Sequence, residues 1–246
     1  MELKIRLFAT LKDAAGQSYL MVELNEGGSV AELRQKIAAG WPDLAMHAQA
    51  AVVAVNRTFA EPDDVIQNGD EVAMFPPVSG GSQSLIVADA PADAFPTYFA
   101  LTADTMDLNG IHAHLIRPDV GAIATFAGSV RGQTTREGLP PETLNLEYEA
   151  YEEMAVEKMA QIAREIWEQW PQVKGIAIVQ RIGLLQVGEM TTYVACASGH
   201  RDEGIFAAAR YGIDRLKEIV PVWKREIGRD QSVWVEGDYR PTGADN

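Results

Sequence analysis

Hydrophobic and polar positions alternate from the first residues. Leu3, Ile5 and Leu7 point one way, with Lys4 and Arg6 between them, which predicts a strand. Tyr19 to Leu24 reads as a second short strand, broken by Asn25-Glu26-Gly27-Gly28. Ser29 is placed to cap a helix carrying Val30, Leu33 and Ile37, with Glu32 at the capping-box position. That helix stops near Gly40, ahead of Pro42. Ala51 to Asn56 is a short apolar run, Asn68-Gly69-Asp70 a turn, and Glu71 to Phe75 a last strand. The order β-β-α-β-β within about 80 residues predicts a small sheet crossed by one helix, an α+β unit.

A second set of periods begins beyond residue 97. Gly121 to Val130 predicts a strand with Ile123, Thr125, Ala127 and Ser129 on one face, and Ala122, Ala124, Phe126 and Val130 on the other. Leu144, Leu146 and Tyr148 alternate with Asn145, Glu147 and Glu149, as in a half-exposed strand. Met154, Met159, Ile162, Ala163, Ile166 and Trp170 share one face of a long helix. Strands follow at Gly175 to Gln180 and Thr191 to Ala197. A second long helix runs from about Asp202 to Ile219, with Ile205, Ala209, Ile213 and Leu216 as its buried stripe and Pro221 as its stop. This is again α+β. Between the two sets, residues 82–97 are rich in Ala, Asp and Pro and read as a linker, although Leu85-Ile86-Val87 also suits a short strand added to a sheet edge. The expected organisation is therefore residues 1–81, a linker at 82–97, and residues 98–246.

Composition narrows the class. The 246 residues are 47% hydrophobic and 23% charged, the balance of a soluble globular protein. No run approaches the roughly 20 apolar residues that cross a membrane, and Met1-Glu2-Leu3-Lys4-Ile5 lacks a signal-peptide pattern. The single cysteine, Cys196, excludes an internal disulfide framework and fits a reducing cytoplasm; its apolar strand gives it a core role. A net charge of −14 argues against nucleic-acid or anionic-membrane partners. It leaves room for an anionic small substrate held by a local basic cluster.

The candidate chemistry lies in a glycine pair and several cations. Phe75-Pro76-Pro77-Val78-Ser79-Gly80-Gly81 places two glycines after a proline-stiffened segment. Alone, the pair reads first as a flexible linker and only second as a thin tail able to enter a narrow site. Lys217 sits in the last turn of the second long helix, where a solvated lysine favoured by the helix dipole and a catalytic one are both open readings. Lys224 and Arg225 form a cationic patch beside Trp223, and Arg131 ends the Gly128-Ser129-Val130-Arg131 run. His200-Arg201 precede a helix N-terminus, a place suited to anions. Arg181 and Arg210 read as salt-bridge residues. His112 and His114 would share a face on a strand, but no cysteine or carboxylate cluster completes a metal set. No phosphate-binding Gly-x-x-x-x-Gly-Lys-Ser/Thr loop is present, so ATP is not expected as a substrate.

Residues 1–81, through the turn-strand Asn68-Gly69-Asp70-Glu71-Val72 and the ending Phe75-Pro76-Pro77-Val78-Ser79-Gly80-Gly81, resemble the small subunit of molybdopterin synthase, a ubiquitin-like β-grasp sulfur carrier. Residues of about 98–240 resemble the large, catalytic subunit of the same enzyme. The resemblance rests on the run Gly121 to Arg131, Leu146-Glu147-Tyr148-Glu149-Ala150-Tyr151, Arg181-Ile182-Gly183, Gly199-His200-Arg201, Asp214-Arg215-Leu216-Lys217 and Val220 to Glu226.

The resemblance implies a carrier and its enzyme on one chain, working in molybdenum cofactor biosynthesis. It implies that Gly81, freed by cleavage of Gly81-Ser82, carries sulfur as a thiocarboxylate on the Gly80-Gly81 tail. The sulfur passes to cyclic pyranopterin monophosphate to give the dithiolene, with no tightly bound cofactor. It also implies that Lys217 lies beside the carrier glycine, that Lys224 binds substrate or assists the chemistry, and that Arg131 and Arg225 belong to the substrate pocket. Phe126 would line the pocket or serve the core, and Glu226 would order the basic patch. His200 and Arg201 would reach a neighbouring copy, hence a homodimer. A separate ATP-dependent adenylyltransferase and a sulfur donor would recharge the carrier. The competing reading is a non-catalytic fusion, in which the uncleaved first domain docks on or inhibits the second. A carrier serving thiamine or cysteine synthesis is a third, disfavoured by the large-subunit motifs.

Overall fold

The computed structural model describes residues 1–77, 86–87, 96–134, 136, 138–235, 237 and 239–246. The chain forms two compact units, Met1–Val78 with Glu236–Asn246, and Ser79–Val235. Among the described residues no helix is long and apolar enough to cross a membrane.

The first unit follows the order β1 (Glu2–Leu7), α1 (Ala9–Ala15), β2 (Tyr19–Glu23), α2 (Val30–Gly40), a 3-10 turn (Pro42–Leu44), α3 (Ala45–Ala50), β3 (Val52–Val55), β4 (Thr58–Phe59) and β5 (Val72–Phe75). Its sheet runs β2-β1-β5-β3-β4, with β1 parallel to β5 and the other pairs antiparallel. Leu3, Ile5 and Leu7 alternate into a core with Leu33 and Ile37 of α2 and with Val72 and Met74 of β5. This is the β-grasp arrangement, a sheet gripping one main helix.

The expected capping box is present. The Glu32 amide donates to Ser29 Oγ and the Ser29 amide donates to Glu32 Oε2, each at 3.3 Å. Three elements carry no clear period and were not expected. α1 has seven residues, and no side chain caps its start at Phe8. α3 has six residues. β4 has two, joined to β3 through Asn56 and Arg57, both at positive φ (51° and 64°), as a two-residue hairpin requires.

The second unit contains β6 (Ile86–Val87), β7 (Thr97–Thr102), α4 (Leu108–Leu115), β8 (Ala122–Ser129), β9 (Asn145–Ala150), α5 (Glu152–Gln169), β10 (Gly175–Arg181), β11 (Gly183–Gln186), β12 (Met190–Ser198), α6 (Ile205–Ile219), β13 (Val222–Ile227) and β14 (Ser232–Val235). One sheet runs β6-β7-β10-β12-β8 and the other β11-β9-β13-β14. β10 is buried along its whole length, as its continuous apolar run demands. α5 and α6 pack on each other, and α6 lies over β12 and β8. The expected stripe Ile205, Ala209, Ile213 and Leu216 is buried.

The boundaries differ from the sequence expectation at two places. Thr97 opens β7 one residue before the expected boundary, and Ile86–Val87 pair antiparallel with Leu101 and Ala100, the edge-strand alternative for Leu85-Ile86-Val87 rather than the linker. Residues 98–246 are not one domain either, because Glu236–Asn246 join the first unit. The reason is hydrogen bonding: Asn246 and Gly243 bond to Phe59 and Glu61, far away in sequence.

Candidate active site

β13 organises the basic cluster. It is a central strand of its sheet, so its side chains alternate between two faces. Lys224 and Glu226 share one face, and Arg225 takes the other. In register, Lys224 stands opposite Tyr148 of β9, and Arg225 opposite Glu147.

Lys224 is half-buried, and its ammonium is held below the usual lysine range. Burial is the main cause; the positive charges of Lys217, Arg131 and Arg136 push the same way, and the Glu226 carboxylate pushes back. Three cations from α6 and from the chain after β8 therefore converge on one lysine. Glu226 is buried and accepts a short hydrogen bond from the Thr143 hydroxyl. Tyr148 is buried too, and loss of solvent pushes its phenol up to about 12, with Glu226 adding to the shift and a hydrogen bond with Thr191 opposing it. At neutral pH this tyrosine is an uncharged hydroxyl set opposite a lysine whose proton affinity is lowered.

Lys217, in the last turn of α6, is exposed. Its Nζ lies 5.8 Å from the centre of the half-buried Phe126 ring on β8, at the outer limit of a cation–π contact. Phe126 thus touches the basic cluster. Arg131, just past the end of β8, is exposed.

Other expected residues lie elsewhere. Arg225 lies on the strand face opposite Lys224. Its Nε donates to Glu147 Oε2 at 2.8 Å, a second bond runs from Nη2, and its guanidinium lies 5.2 Å from the Trp234 ring centre. Strand alternation turns it away from Lys224 and towards Glu147. His200 and Arg201 are exposed in the turn before α6. The His200 amide donates to Glu203 Oε2 at 3.1 Å, and Arg201 pairs with Asp202 at 3.3 Å. Twelve residues of helix separate this turn from Lys217, about 18 Å at the helical rise, so the pair does not join the Lys224 cluster of its own chain.

Arg181 is buried, donating to Ala103 O and pairing with Glu189, and Arg210 pairs with Asp214 on the surface. His112 and His114 lie on helix α4, not on a strand, so they do not share a face. Their Nε2 atoms meet Tyr193 Oη at 2.7 Å and Thr97 O at 2.9 Å. Among the described residues no group of three His, Cys, Asp or Glu side chains is arranged to hold a metal. Cys196 is fully buried, and its thiol is pushed up to about 12. Gly80 and Gly81 lie outside the described residues.

Arg136, Thr143 and Tyr148 were not singled out as site residues in the sequence. Arg136 and Thr143 stand on the irregular chain between β8 and β9, which has no period to follow. Tyr148 reads as an ordinary inward strand position until β13 is placed beside it.

Residues 101–219 match the MoaE protein family and residues 5–81 match the ThiS family. The molybdopterin synthase catalytic subunit of Halalkalibacterium halodurans is 40% identical over 144 residues, covering 58% of this chain and 88% of that protein. That of Bacillus subtilis is 41% identical over 146 residues, covering 59% and 88%. The crystal structure of molybdopterin synthase from Staphylococcus aureus superposes with a TM-score of 0.51 at 39% identity, over 56% of this chain and 96% of that one. The chain belongs to the molybdopterin synthase catalytic-subunit family, with a ThiS-family domain fused ahead of the catalytic one.

Proposed function

We propose that this protein is a molybdopterin synthase acting in molybdenum cofactor biosynthesis. Gly81, freed by cleavage of Gly81-Ser82, carries sulfur as a thiocarboxylate and delivers it to cyclic pyranopterin monophosphate, which becomes the dithiolene after two transfers. The observation that carries this reading is the convergence of Lys217, Arg131 and Arg136 on a half-buried Lys224. An overall charge of −14 would repel an anionic pterin, so a local cationic cluster is what such a substrate requires. Lys224, its proton affinity lowered by burial and neighbouring cations, serves as the proton acceptor or nucleophile. Lys217 meets the carrier glycine at the open side, and Arg131 holds the cyclic phosphate.

The sulfur arrives already activated by its acyl group, so no protein thiol is needed, and the buried Cys196 plays no part. The exposed His200 and Arg201 complete the pocket of a second copy, which makes the working unit a homodimer. A separate ATP-dependent adenylyltransferase and a sulfur donor reload Gly81.

The test combines mass and turnover. Protein isolated from its native cell is expected to contain a fragment ending at Gly81, heavier by one oxygen-to-sulfur exchange, and to convert the pterin to its dithiolene. Deletion of Gly81 is expected to abolish conversion with the second domain intact. Full-length chain only, with no sulfur transfer, would reject the reading in favour of a docking or inhibitory fusion.

A further inference from the structure

Residues 242–246 close the free edge of the first unit's sheet. β4 is the outermost strand. Phe59 forms a non-bonded pair with Ala54 of β3, while the Ala60 amide reaches Val53 O at 2.9 Å. The N–H and C=O of Phe59 therefore point away from the sheet. The side-chain amide of Asn246 takes both: the Phe59 N–H donates to Asn246 Oδ1 at 2.8 Å, and Asn246 Nδ2 donates to Phe59 O at 3.0 Å. One side chain thus stands in for a neighbouring strand at an edge that would otherwise be open. The Gly243 amide adds a bond to Glu61 Oε1 at 2.8 Å.

The segment is shaped in advance by its own bonds. Thr242 and Asp245 form a capping box, and the Tyr239 hydroxyl donates to the buried Asp245 carboxylate at 2.8 Å. The ordering cost of making the contact is therefore small.

We propose that residues 242–246 are a docking segment that keeps the sulfur-carrier unit attached once the connection at Gly81 has been opened. The chain passes between the units twice, after residue 78 and after residue 235. A cut after Gly81, on which this inference rests, removes the first covalent passage. The second passage then runs through the contact between fragment 1–81 and residues 242–246 of the other fragment. That contact holds the carrier at high effective concentration near the enzyme that uses it. The contact is non-covalent, so the carrier can still leave for reloading.

The test uses the full chain with a specific protease site placed within 82–95, cut in vitro. The dissociation constant of fragment 1–81 is read from its co-elution with the remainder over a dilution series. Asn246→Ala and Glu61→Ala are each expected to raise that constant about tenfold. Asn246→Asp, which keeps the shape but loses the Nδ2 donor, is expected to weaken binding as well. Unchanged melting of each uncut variant checks the fold. Constants within twofold of the parent for all three would overturn the proposal, as would immediate release of the carrier from the parent. The engineered cut makes this result independent of pterin turnover, so failure of sulfur transfer would not produce it.

Discussion

Lys224 and Tyr148 face each other across β13 and β9, on the sheet face that also carries the buried Glu226. The pairing puts a lysine of lowered proton affinity beside a phenol that keeps its own proton.

Burial lowers the Lys224 value in the folded protein below its ordinary 10.5. Between the lowered value and 10.5 the unfolded chain binds more protons, so stability rises with pH through that window. Below it, the charged lysine costs a constant amount. Lys224→Met is expected to raise the melting temperature at neutral pH, with the advantage shrinking as pH approaches 10.5. Thermal unfolding from pH 7 to 10 checks the sign.

With Lys224 acting in its neutral form, sulfur transfer should increase as pH rises through the lowered value. Glu226 opposes that lowering, so Glu226→Gln should move the rise to lower pH. A pH–rate profile that does not move would remove Lys224 from the proton-accepting role.

Lys217 is exposed and touches the cluster through Phe126. Lys217→Ala is expected to cut transfer by about 10²–10⁴-fold, the usual scale for a positioned acid–base or nucleophilic group. Its melting temperature should stay close to that of the parent, because exposed substitutions change stability little. Near-normal product formation would exclude a catalytic lysine there.

Gly204 caps the start of α6 at φ +81°, and an added Cβ would lie 2.4 Å from Trp170 Cδ1. Gly204→Ala combines a left-handed backbone with overpacking and should cost about 2–4 kcal/mol. Chemical denaturation measures it. The same strain would shift the His200–Arg201 turn, so transfer should fall more than the fraction unfolded explains.

Cys196 is buried with its thiol pushed up to about 12. Native protein should resist thiol alkylation at pH 8, and Cys196→Ala should keep full transfer while losing about 1 kcal/mol of stability. Rapid labelling of the folded protein would contradict this burial.

Local pattern made several parts legible in advance. The alternation Leu3-Ile5-Leu7, the Ser29–Glu32 capping box and the α6 stripe are each encoded within a few residues, where periodicity and hydrogen-bonding chemistry act directly. The family motifs brought Lys217, Lys224 and Arg131 forward as candidates, and the structure gathers these three. Arg225 belongs to the same motif as Lys224, yet only the placement of β13 shows that adjacent strand residues face apart and that Arg225 answers Glu147, 78 positions earlier. The lowered proton affinity of Lys224 likewise depends on burial and on charges brought from α6 and from the chain after β8. Asn246 closes the edge at Phe59 across 187 positions. Contacts at such separations leave no period in the chain, because they are set by which surfaces meet after folding; local sequence determined the elements, and tertiary packing decided which of their side chains became a site.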